Sequence, residues 1–354
     1  MKTVATVTGI RPDFIRMSEI FKKLDENFNH ILIHTGQHFD TLLSDVFFKE
    51  LEIRKPDYNL EIGAYEKEHF HQTADASVKI IELLRKENIK PDLILFLGDS
   101  NSVVMSVALK KEGYKIGHIE AGMRSGDKRM LEEINRTVCD HCSDIHFVYH
   151  EDYKDNLIKE NLPPENIHVV GNTIVEVCNN LKKPIMSKPN TKDFILMDIH
   201  RPENFKYKDR LSNILKLANM YSEHFKLPVT MLKFGRTLDA IKEFDLNLGN
   251  INPIELMSYK EFLTKQYNCL FLLSDSGTSQ EEPALLDTPV IVPRDYTERP
   301  QSVLYECSYM LNANTCESFD ASIRWLCGSP ALLAGWLGEG KTSSKIIDIL
   351  KNVI

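Results

Sequence analysis

Two carboxylates and a guanidinium occur close together in residues 117–136, GHIEAGMRSGDKRMLEEINR. Glu120 follows an apolar predicted strand, and Glu132 and Arg136 lie four residues apart on the helix predicted next. Residues four apart share a helix face, and open α/β sheets bind ligands beyond the carboxyl ends of their strands. The stretch therefore indicates acid–base chemistry beside a cation. Taken alone, the Glu132–Arg136 spacing is more typical of a solvent-exposed helix pair, so the rest of the chain decides between these interpretations.

Length and composition limit the functional classes. At 354 residues the chain is too long for one ordinary core, so we expect two domains of about 150–180 residues. The net charge of −8 argues against sequence-independent binding of nucleic acid. We find neither a charged-then-apolar leader nor an apolar run of the ~18 residues that a membrane span needs, so we expect no membrane partner.

The cysteines predict a reducing compartment and no metal centre. They number seven, an odd count without framework spacing, which is typical of a cytoplasmic protein. Cys139 and Cys142 form a C-x-x-C motif around His141, but no second pair or suitably spaced histidine accompanies it. A helical pattern runs through this motif, so we expect both thiols to pack against other side chains.

Short apolar runs alternate with helical patterns along the chain, which is typical of α/β domains with parallel sheets. After a polar link at 182–192 the alternation restarts. We predict a first domain at 1–180, a second at 181–340, and a C-terminal helix at 341–354 that packs back on the first, with the active site in the cleft between the domains. The predicted strands are 1–8, 31–34, 93–97, 115–119, 145–149, 167–170, 194–198, 229–233, 269–274, 290–292 and 308–311.

Several common motifs are missing from the sequence. No G-x-G-x-x-G follows a strand, so we expect no dinucleotide redox cofactor. The chain also has no G-x-S-x-G and no H-E-x-x-H. The pattern G-x-x-x-x-G-K-[ST] does occur, at residues 335–342 (GWLGEGKT), but no predicted strand leads into it, as a P-loop requires. These features disfavour P-loop NTPases, serine hydrolases and zinc proteases, and we expect the chemistry to need no cofactor and no metal.

An anion site is predicted at residues 275–282, DSGTSQEE, which follow an apolar strand and are predicted to begin a helix. Backbone N–H groups at a helix start attract phosphate, and Gly277 allows a close approach of the chain. The hydroxyls of Ser276 and Thr278 can donate to phosphate oxygens, and Glu282 can accept from sugar hydroxyls. An equally good interpretation is a simple N-cap formed by Asp275 or Ser276.

Cations that could balance a diphosphate occur at other strand ends and in loops. Any one of them alone is more typical of a solvated surface charge. Together they favour compensation of a departing diphosphate. They are Arg11, His200, Arg201, Arg294 and Arg299.

A series of short motifs carries a family resemblance over about residues 1–303. They are GIRPD (9–13), TGQH (35–38), GDS (98–100), HIEAG (118–122), EEINR (132–136), GN (171–172), HRPEN (200–204), SDSG with QEE (274–277, 280–282) and TERP (297–300). In these motifs and in their order, the chain resembles the non-hydrolysing UDP-N-acetylglucosamine 2-epimerase family. The set is specific, although no single motif is.

The resemblance implies two Rossmann-like domains of the glycosyltransferase-B type, a homodimer, and a UDP-sugar substrate bound mainly by the second domain. It implies that Ser276, Gly277 and Thr278 hold the pyrophosphate, that Glu282 holds the ribose, and that Phe262 lies by the uracil. Asp99, Glu120, Glu132, Arg136 and His200 match the family's catalytic positions, and Arg11, Arg16, Gln37, His38 and Arg299 match substrate-binding positions.

The reaction that the family performs explains this set of residues. The C2 proton of a 2-acetamido sugar is not next to a carbonyl carbon, so simple deprotonation is very unfavourable. Loss of UDP from C1 as that proton leaves gives a 2-acetamidoglycal, and re-addition with protonation on the opposite face inverts C2. Asp99, Glu120 and Glu132 are the candidates for proton transfer. The sequence does not show on which face of the sugar each carboxylate acts.

Departures from the family pattern bear on the substrate. Arg16 replaces the usual lysine, and KFGRT at 233–237 replaces a common P-x-H-x-N segment. These features resemble the branch acting on modified UDP-sugars, either 6-deoxy-L-N-acetylhexosamines or 2,3-diacetamido uronic acids, that supply surface polysaccharides. GMRS at 122–125 is closer to the main family. We expect activation by a second substrate molecule to be weakened or absent. A hydrolysing 2-epimerase, a glycosyltransferase and an inactive nucleotide-sugar-binding module are the alternatives.

Overall fold

A computed structural model describes residues 1–36, 45–64, 69–128 and 130–354 of the chain. The chain divides into two compact units, Met1–Val177 with Leu337–Ile354, and Cys178–Trp336. The domain boundaries predicted from the sequence were at residues 180 and 340. Within the described residues, no helix combines the length and the hydropathy that crossing a bilayer requires.

The first unit contains a parallel sheet of seven strands in the order β3-β2-β1-β4-β5-β6-β7. Its strand order turns between β1 and β4, and open α/β sheets bind ligands at such switch points. The strands are β1 (Thr3–Thr8), β2 (Asn29–His34), β3 (Tyr58–Asn59), β4 (Leu93–Leu97), β5 (Ile116–Ile119), β6 (Ile145–Val148) and β7 (Ile167–Val169).

Helices cover this sheet, and one of them comes from the end of the chain. The C-terminal helix α14 (Thr342–Val353) lies against α1, and Thr342 Oγ1 donates to the carbonyl oxygen of Val170 at 3.2 Å. The other helices are α1 (Arg11–Asn27), α2 (Asp45–Glu50), α3 (His69–Lys86), α4 (Met105–Lys111), α5 (Leu131–Cys142), α6 (Glu151–Lys159) and α7 (Ile174–Ile185), the last of which carries the chain into the second unit.

The second unit repeats this architecture with six parallel strands in the order β10-β9-β8-β11-β12-β13. Its switch point lies between β8 and β11. The strands are β8 (Ile195–Asp198), β9 (Val229–Leu232), β10 (Ile251–Ile254), β11 (Leu272–Ser274), β12 (Val290–Val292) and β13 (Ser308–Met310). The helices are α8 (Pro202–Phe205), α9 (Lys208–Phe225), α10 (Gly235–Glu243), α11 (Tyr259–Asn268), α12 (Pro300–Leu304) and α13 (Phe319–Cys327).

Helix α9 shows how the sequence builds this core. Leu211, Leu215, Ala218 and Tyr221 recur at helical spacing and are fully or almost fully buried against the sheet. The unit therefore has its own hydrophobic core. The predicted fold class, α/β with two Rossmann-like domains, is confirmed.

Three local differences from the predicted elements have physical causes. Strands β3 and β10 were not predicted, because β3 has only two residues and β10 contains Pro253, which sheets tolerate at their edges. The predicted helix after residue 275 is instead two 3₁₀ turns, Thr278–Gln280 and Pro283–Leu286. Pro283 has no N–H for an α-helical bond to Ser279, and its ring would clash with that carbonyl.

The C-x-x-C motif lies on α5. Cys139 is buried, Cys142 is half-buried, and both are free thiols. Burial raises the pKa of the Cys142 thiol, which disfavours the thiolate that a metal would need. Cys139 therefore serves packing, since it belongs to the hydrophobic core of the first unit.

Candidate active site

The first unit brings two carboxylates onto one guanidinium at the switch-point edge of its sheet. Arg136 Nη2 donates to Asp99 Oδ2, and it lies 3.1 Å from Glu120 Oε1. Arg16 Nη1 donates to the other oxygen of Glu120. The side chain of Arg136 is 0% exposed, that of Glu120 5%, and that of Asp99 23%. Asp99 is therefore the more accessible carboxylate of the two.

Strand register explains why these carboxylates meet. Leu97 of β4 pairs with Ile119 of β5, so Asp99 and Glu120 leave neighbouring strands at nearly the same height. Arg136 reaches them from α5, whose first turn carries Glu132 and Glu133, where acidic side chains favour the helix dipole. The surface-pair interpretation of Arg136 is thus wrong, because its side chain is fully buried.

Glu132 is half-exposed and lies one turn before Arg136 on the same helix. Its neighbour Glu133 fixes the loop that leads into this helix. One oxygen of Glu133 accepts from the backbone N–H and hydroxyl of Ser125, each at 2.9 Å, and the other accepts from Gly126 N–H at 3.1 Å. The start of α5, and with it Glu132, is therefore held in place by a buried carboxylate.

The backbone at both strand ends is left-handed. Gly98 has φ +75°, which glycine adopts freely, but Glu120 has φ +70°, which costs a non-glycine residue of order 1 kcal/mol or more. Such strain persists only where the surroundings impose it. At Gly122 a Cβ would lie 2.3 Å from the carbonyl oxygen of Tyr153, so only glycine fits there.

Asp13 was not predicted as a site residue, yet it is buried beside these groups. Its Oδ2 accepts from the backbone N–H groups of Gly9 and Ile10, each at 3.2 Å, and from Ser100 Oγ at 3.3 Å. The pKa of Asp13 is raised to about 7, chiefly by burial and against the lowering effect of the two backbone bonds. The charges of Asp99 and Glu120 contribute to this rise, which places Asp13 in the field of the same carboxylates.

Four predicted binding residues lie within the first 38 positions of the chain. Arg11 begins α1, and its guanidinium carbon lies 5.4 Å from the ring centroid of Phe47. Gln37 and His38 fall outside the residues that the structure describes. Arg16, as noted above, contacts Glu120 rather than facing solvent.

The second unit builds its site around Asp275, directly after β11. Asp275 is fully buried and accepts from the backbone N–H groups of His200 and Arg201, each at 3.0 Å, and from Asn204 Nδ2 at 2.9 Å. The predicted N-cap role of Asp275 for its own segment is therefore replaced by a bond to the turn after β8. This carboxylate ties the two switch-point loops together.

His200 is oriented by a carboxylate and an aromatic ring. Its Nδ1 lies 2.9 Å from Asp198 Oδ1, and its ring centroid lies 4.8 Å from that of Phe234. Burial alone would lower the pKa of His200, but Asp198 and Asp275 raise it above the usual value. The His200 imidazole is thus held by Asp198 and packs against Phe234.

Asp198, His200 and Asp275 could be considered as cation ligands, because their donor atoms lie within 4.8 Å of one another. The oxygens of Asp275 already accept three N–H donors, however, and Asp198 is bonded to the imidazole. Ligands of a divalent cation need free lone pairs. This cluster is better explained as a hydrogen-bonded support for His200.

The turn of Ser276, Gly277 and Thr278 lies directly on Arg299. A Cβ at Gly277 would be 2.5 Å from Arg299 Nη1. Arg299 is itself buried and pairs with Glu281 at 2.6 Å and Glu298 at 2.5 Å. Arg299 therefore packs against this turn. Its predicted contact with the substrate stays a prediction.

Glu282 and Phe262 lie near the start of the following turn and on α11. Glu282 is buried and accepts from Tyr259 Oη at 2.9 Å and from Gln266 Nε2 at 3.2 Å. Both donors belong to α11, whose start is fixed by a capping box between Ser258 and Glu261. Phe262 is half-buried on the same helix and packs against a cluster formed by Leu196, Cys269, Leu272, Val290 and Val292.

Known proteins resemble the chain along nearly its whole length. The family model described as UDP-N-acetylglucosamine 2-epimerase matches residues 22–351. A UDP-N-acetylglucosamine 2-epimerase of Methanococcus maripaludis is 37% identical over 86% of each chain. A UDP-2,3-diacetamido-2,3-dideoxy-D-glucuronate 2-epimerase of Pseudomonas aeruginosa is 32% identical over 98% of this chain and 99% of that protein.

A solved structure shows the same fold. The UDP-GlcNAc 2-epimerase of Methanocaldococcus jannaschii, crystallised with UDP-GlcNAc and UDP, superposes with a TM-score of 0.88 at 33% identity, covering 99% of this chain and 100% of that one. This agreement in sequence and in fold extends over both Rossmann-like units. The chain therefore belongs to the UDP-N-acetylglucosamine 2-epimerase family of isomerases.

Proposed function

We propose that the chain inverts C2 of a UDP-2-acetamido sugar by eliminating UDP and adding it back. The observation that carries this proposal is the convergence of Asp99 and Glu120 on the buried Arg136 at a sheet switch point. A protein that only bound nucleotide sugars would gain nothing from two carboxylates clustered in this way, because the clustering costs stability.

The first unit supplies the proton transfers in this proposal. One carboxylate among Asp99, Glu120 and Glu132 takes the C2 proton, and the C–H electron pair becomes the C1–C2 double bond as the C1–O bond breaks. That bond's electrons leave on the diphosphate oxygen of UDP. In the return step UDP attacks C1, and an acid on the other face delivers a proton to C2.

Arg136 and Arg16 stabilise the carboxylates before substrate arrives, since guanidinium groups stay charged at every working pH. Asp99 is more exposed than Glu120 and is bonded to one guanidinium rather than two. Asp99 is therefore the more available proton acceptor, and we assign it the first proton transfer. Glu120 and Glu132 are the candidates for the return step.

The second unit supplies the UDP site in this proposal. Backbone N–H groups and hydroxyls of Ser276, Gly277 and Thr278 bind the pyrophosphate, although through a loop and a 3₁₀ turn rather than an α-helix start. Glu282 binds the ribose and Phe262 lies by the uracil. His200, with its raised pKa, carries positive charge toward the departing diphosphate, together with Arg11.

The substrate is a UDP-2-acetamido sugar, and we propose a modified one. Support comes from the departures at Arg16 and at residues 233–237, and from the similarity to the P. aeruginosa enzyme whose name specifies a 2,3-diacetamido glucuronate. We further propose that the product enters surface polysaccharide synthesis and that the enzyme works as a homodimer, which sedimentation at micromolar concentration would test.

The experiment is incubation with a panel of UDP-sugars in D₂O, followed by NMR. The panel contains UDP-GlcNAc, a 6-deoxy-L-hexosamine derivative and a 2,3-diacetamido uronate. Deuterium at C2 with UDP still attached supports the proposal. Release of free sugar and UDP in equal amounts would instead identify a hydrolysing enzyme, and binding of UDP without turnover of any sugar would contradict both.

A further inference from the structure

We propose that His118 and Asp140 form a positioning pair, which holds in register the two backbone turns that carry Asp99 and Glu120. Neither residue was predicted as functional, and neither can touch a substrate, because both are fully buried. The inference rests on the proposed roles of Asp99 and Glu120. It concerns how their geometry is maintained.

Asp140, on α5, is bonded on both of its carboxylate oxygens. Its Oδ1 lies 2.6 Å from His118 Nδ1. Its Oδ2 accepts from Gly122 N–H at 3.1 Å and from Arg124 Nη2 at 2.8 Å. Arg124 is in turn held by Glu160 through two bonds of 2.8 and 2.9 Å. A single side chain therefore fixes the left-handed Gly122, two residues after Glu120.

His118 extends this hold to the neighbouring strand end. Its Nε2 lies 2.8 Å from the carbonyl oxygen of Gly98, the left-handed residue that precedes Asp99. A carbonyl oxygen can only accept, and a carboxylate beside Arg124 also accepts. Both ring nitrogens must therefore donate, which makes His118 an imidazolium.

Electrostatics agree with that protonation state. Burial alone would lower the pKa of His118, but Cys139 and Asp140 beside the ring raise it well above its usual value. Two cations, His118 and Arg124, keep the pKa of Asp140 well below its usual range. The pair is thus a buried ion pair in which both ring nitrogens and both carboxylate oxygens are hydrogen-bonded. Removing one partner of such a pair is strongly destabilising, because it leaves a buried charge without compensation.

The geometry gives this pair a role beyond general stability. It joins the turn after β4 to the turn after β5, and these two turns present the carboxylates that Arg136 clamps. Glu120 itself has a strained φ of +70° that its surroundings must impose. Misplacement of reacting groups by about 1 Å can cost on the order of 100-fold in rate.

A matched control exists at the opposite end of the same sheet. His30 Nδ1 lies 2.6 Å from Asp25 Oδ1, the same distance as in the proposed pair. His30 is the second residue of β2, so it lies at the amino end of the sheet, away from the carboxyl-end turns. Asp25→Asn therefore breaks a histidine–carboxylate hydrogen bond of the same length, at a partly exposed carboxylate, without touching the turns.

The test compares Asp140→Asn with Asp25→Asn in the full-length protein. We expect Asp140→Asn to lower kcat on the order of 100-fold while KM and the Kd for UDP stay within about twofold, since the second unit is unchanged. Asp25→Asn should keep kcat within about twofold. If the pair only stabilised the fold, a folded Asp140→Asn variant would keep its kcat as well as its KM. A folded Asp140→Asn variant with wild-type kcat would therefore overturn the proposal.

A measurement on the unmutated protein covers the case in which Asp140→Asn does not fold. Histidine side-chain ¹H–¹⁵N NMR should show the His118 imidazole protonated on both nitrogens at pH 8, with its signal assigned through its loss in His118→Gln. A neutral His118 at that pH would overturn the proposal. This readout needs no turnover, so it stands or falls separately from the proposed epimerase activity.

Discussion

Arg136 Nη2 lies 3.1 Å from Glu120 Oε1, and these residues, sixteen positions apart in the chain, form a fully buried ion pair at the carboxyl end of the first sheet. Asp99 accepts a hydrogen bond from the same Nη2. Arg136 therefore contacts both carboxylates, whereas Arg16 contacts only Glu120. Removal of Arg136 would leave the negative charges of Asp99 and Glu120 facing each other with only Arg16 to compensate them.

Replacing this cation tests how much it contributes. We expect Arg136→Met to destabilise the fold by about 3–5 kcal/mol, because it removes a fully buried guanidinium from Asp99 and leaves the buried Glu120 with Arg16 alone. Urea denaturation measures the change. The matched control is Arg85→Met, which breaks a surface pair with Glu112 and should cost less than about 1 kcal/mol. Equal losses in the two variants would show that Arg136 is not essential to the charge balance.

Asp13 predicts a pH dependence of stability. Its pKa is about 7 in the folded chain and about 4 when unfolded. Between these values the folded state binds more protons, so the contribution of Asp13 to the free energy of unfolding is complete below pH 4 and declines as pH rises to 7. Relative to Asp13→Asn, the wild-type protein should lose up to about 4 kcal/mol across that window, measured by urea denaturation at each pH.

The control for this prediction is a carboxylate with the opposite shift. Asp92 accepts from Thr3 N–H at 2.8 Å and from Lys2 Nζ at 3.0 Å, and these bonds lower its pKa. Its contribution is present above the unfolded pKa and is lost only as pH falls. The Asp92→Asn difference should therefore stay flat from pH 5 to 8. If the Asp13→Asn difference is equally flat, Asp13 ionises normally in the fold.

Much of the fold followed from local patterns. Strands β4 and β12 have the predicted bounds, because apolar runs end at Gly98 and Pro293, which break strands. Strand β10 was not predicted, because its sequence INPI contains a proline and shows little alternation of apolar and polar residues. The turn after β11 was predicted as a helix, but Pro283 cannot donate the N–H that an α-helix would need there, so two 3₁₀ turns form instead.

The site was predictable only where a motif carries the functional side chain itself. GDS and HIEAG placed Asp99 and Glu120 at strand ends, and the sheet then brought them together. The bond between Ser100 and Asp13 spans 87 residues, and that between His118 and Asp140 spans 22. No local pattern reports such contacts, since they depend on strand order and register.

The turn over Arg299 gives a prediction about glycine. In Gly277→Ala the new methyl group would lie 2.5 Å from Arg299 Nη1, which cannot move without breaking its bonds to Glu281 and Glu298. We expect a loss of about 1–3 kcal/mol in stability and weaker UDP binding in calorimetry.

Gly335→Ala is the control for that substitution, because the described atoms leave open space around its Cβ position. It should change stability by less than about 0.5 kcal/mol, as surface substitutions usually do. A Gly277→Ala variant that binds UDP like the wild type would remove this turn from the proposed pyrophosphate site.

His200 predicts the pH dependence of activity. Asp198, 2.9 Å from its Nδ1, helps to raise its pKa. In Asp198→Asn that support is lost, so the pKa of His200 should fall and the basic limb of the kcat/KM profile should move to lower pH. Asp193→Asn, an exposed carboxylate bonded to Thr191, is the control and should leave the profile unchanged. An unshifted limb in Asp198→Asn would mean that His200 does not titrate in the reaction.

The most direct measurement is the rate of C2 deuterium exchange in D₂O for Asp99→Asn and Glu120→Gln, with the Kd for UDP determined on the same samples. Proton transfer by these carboxylates predicts that exchange falls by at least about 100-fold in both variants while UDP affinity stays nearly unchanged, with Asp155→Asn on the first unit's surface as a fully active control. Exchange at the wild-type rate in either variant would contradict the role assigned to that carboxylate.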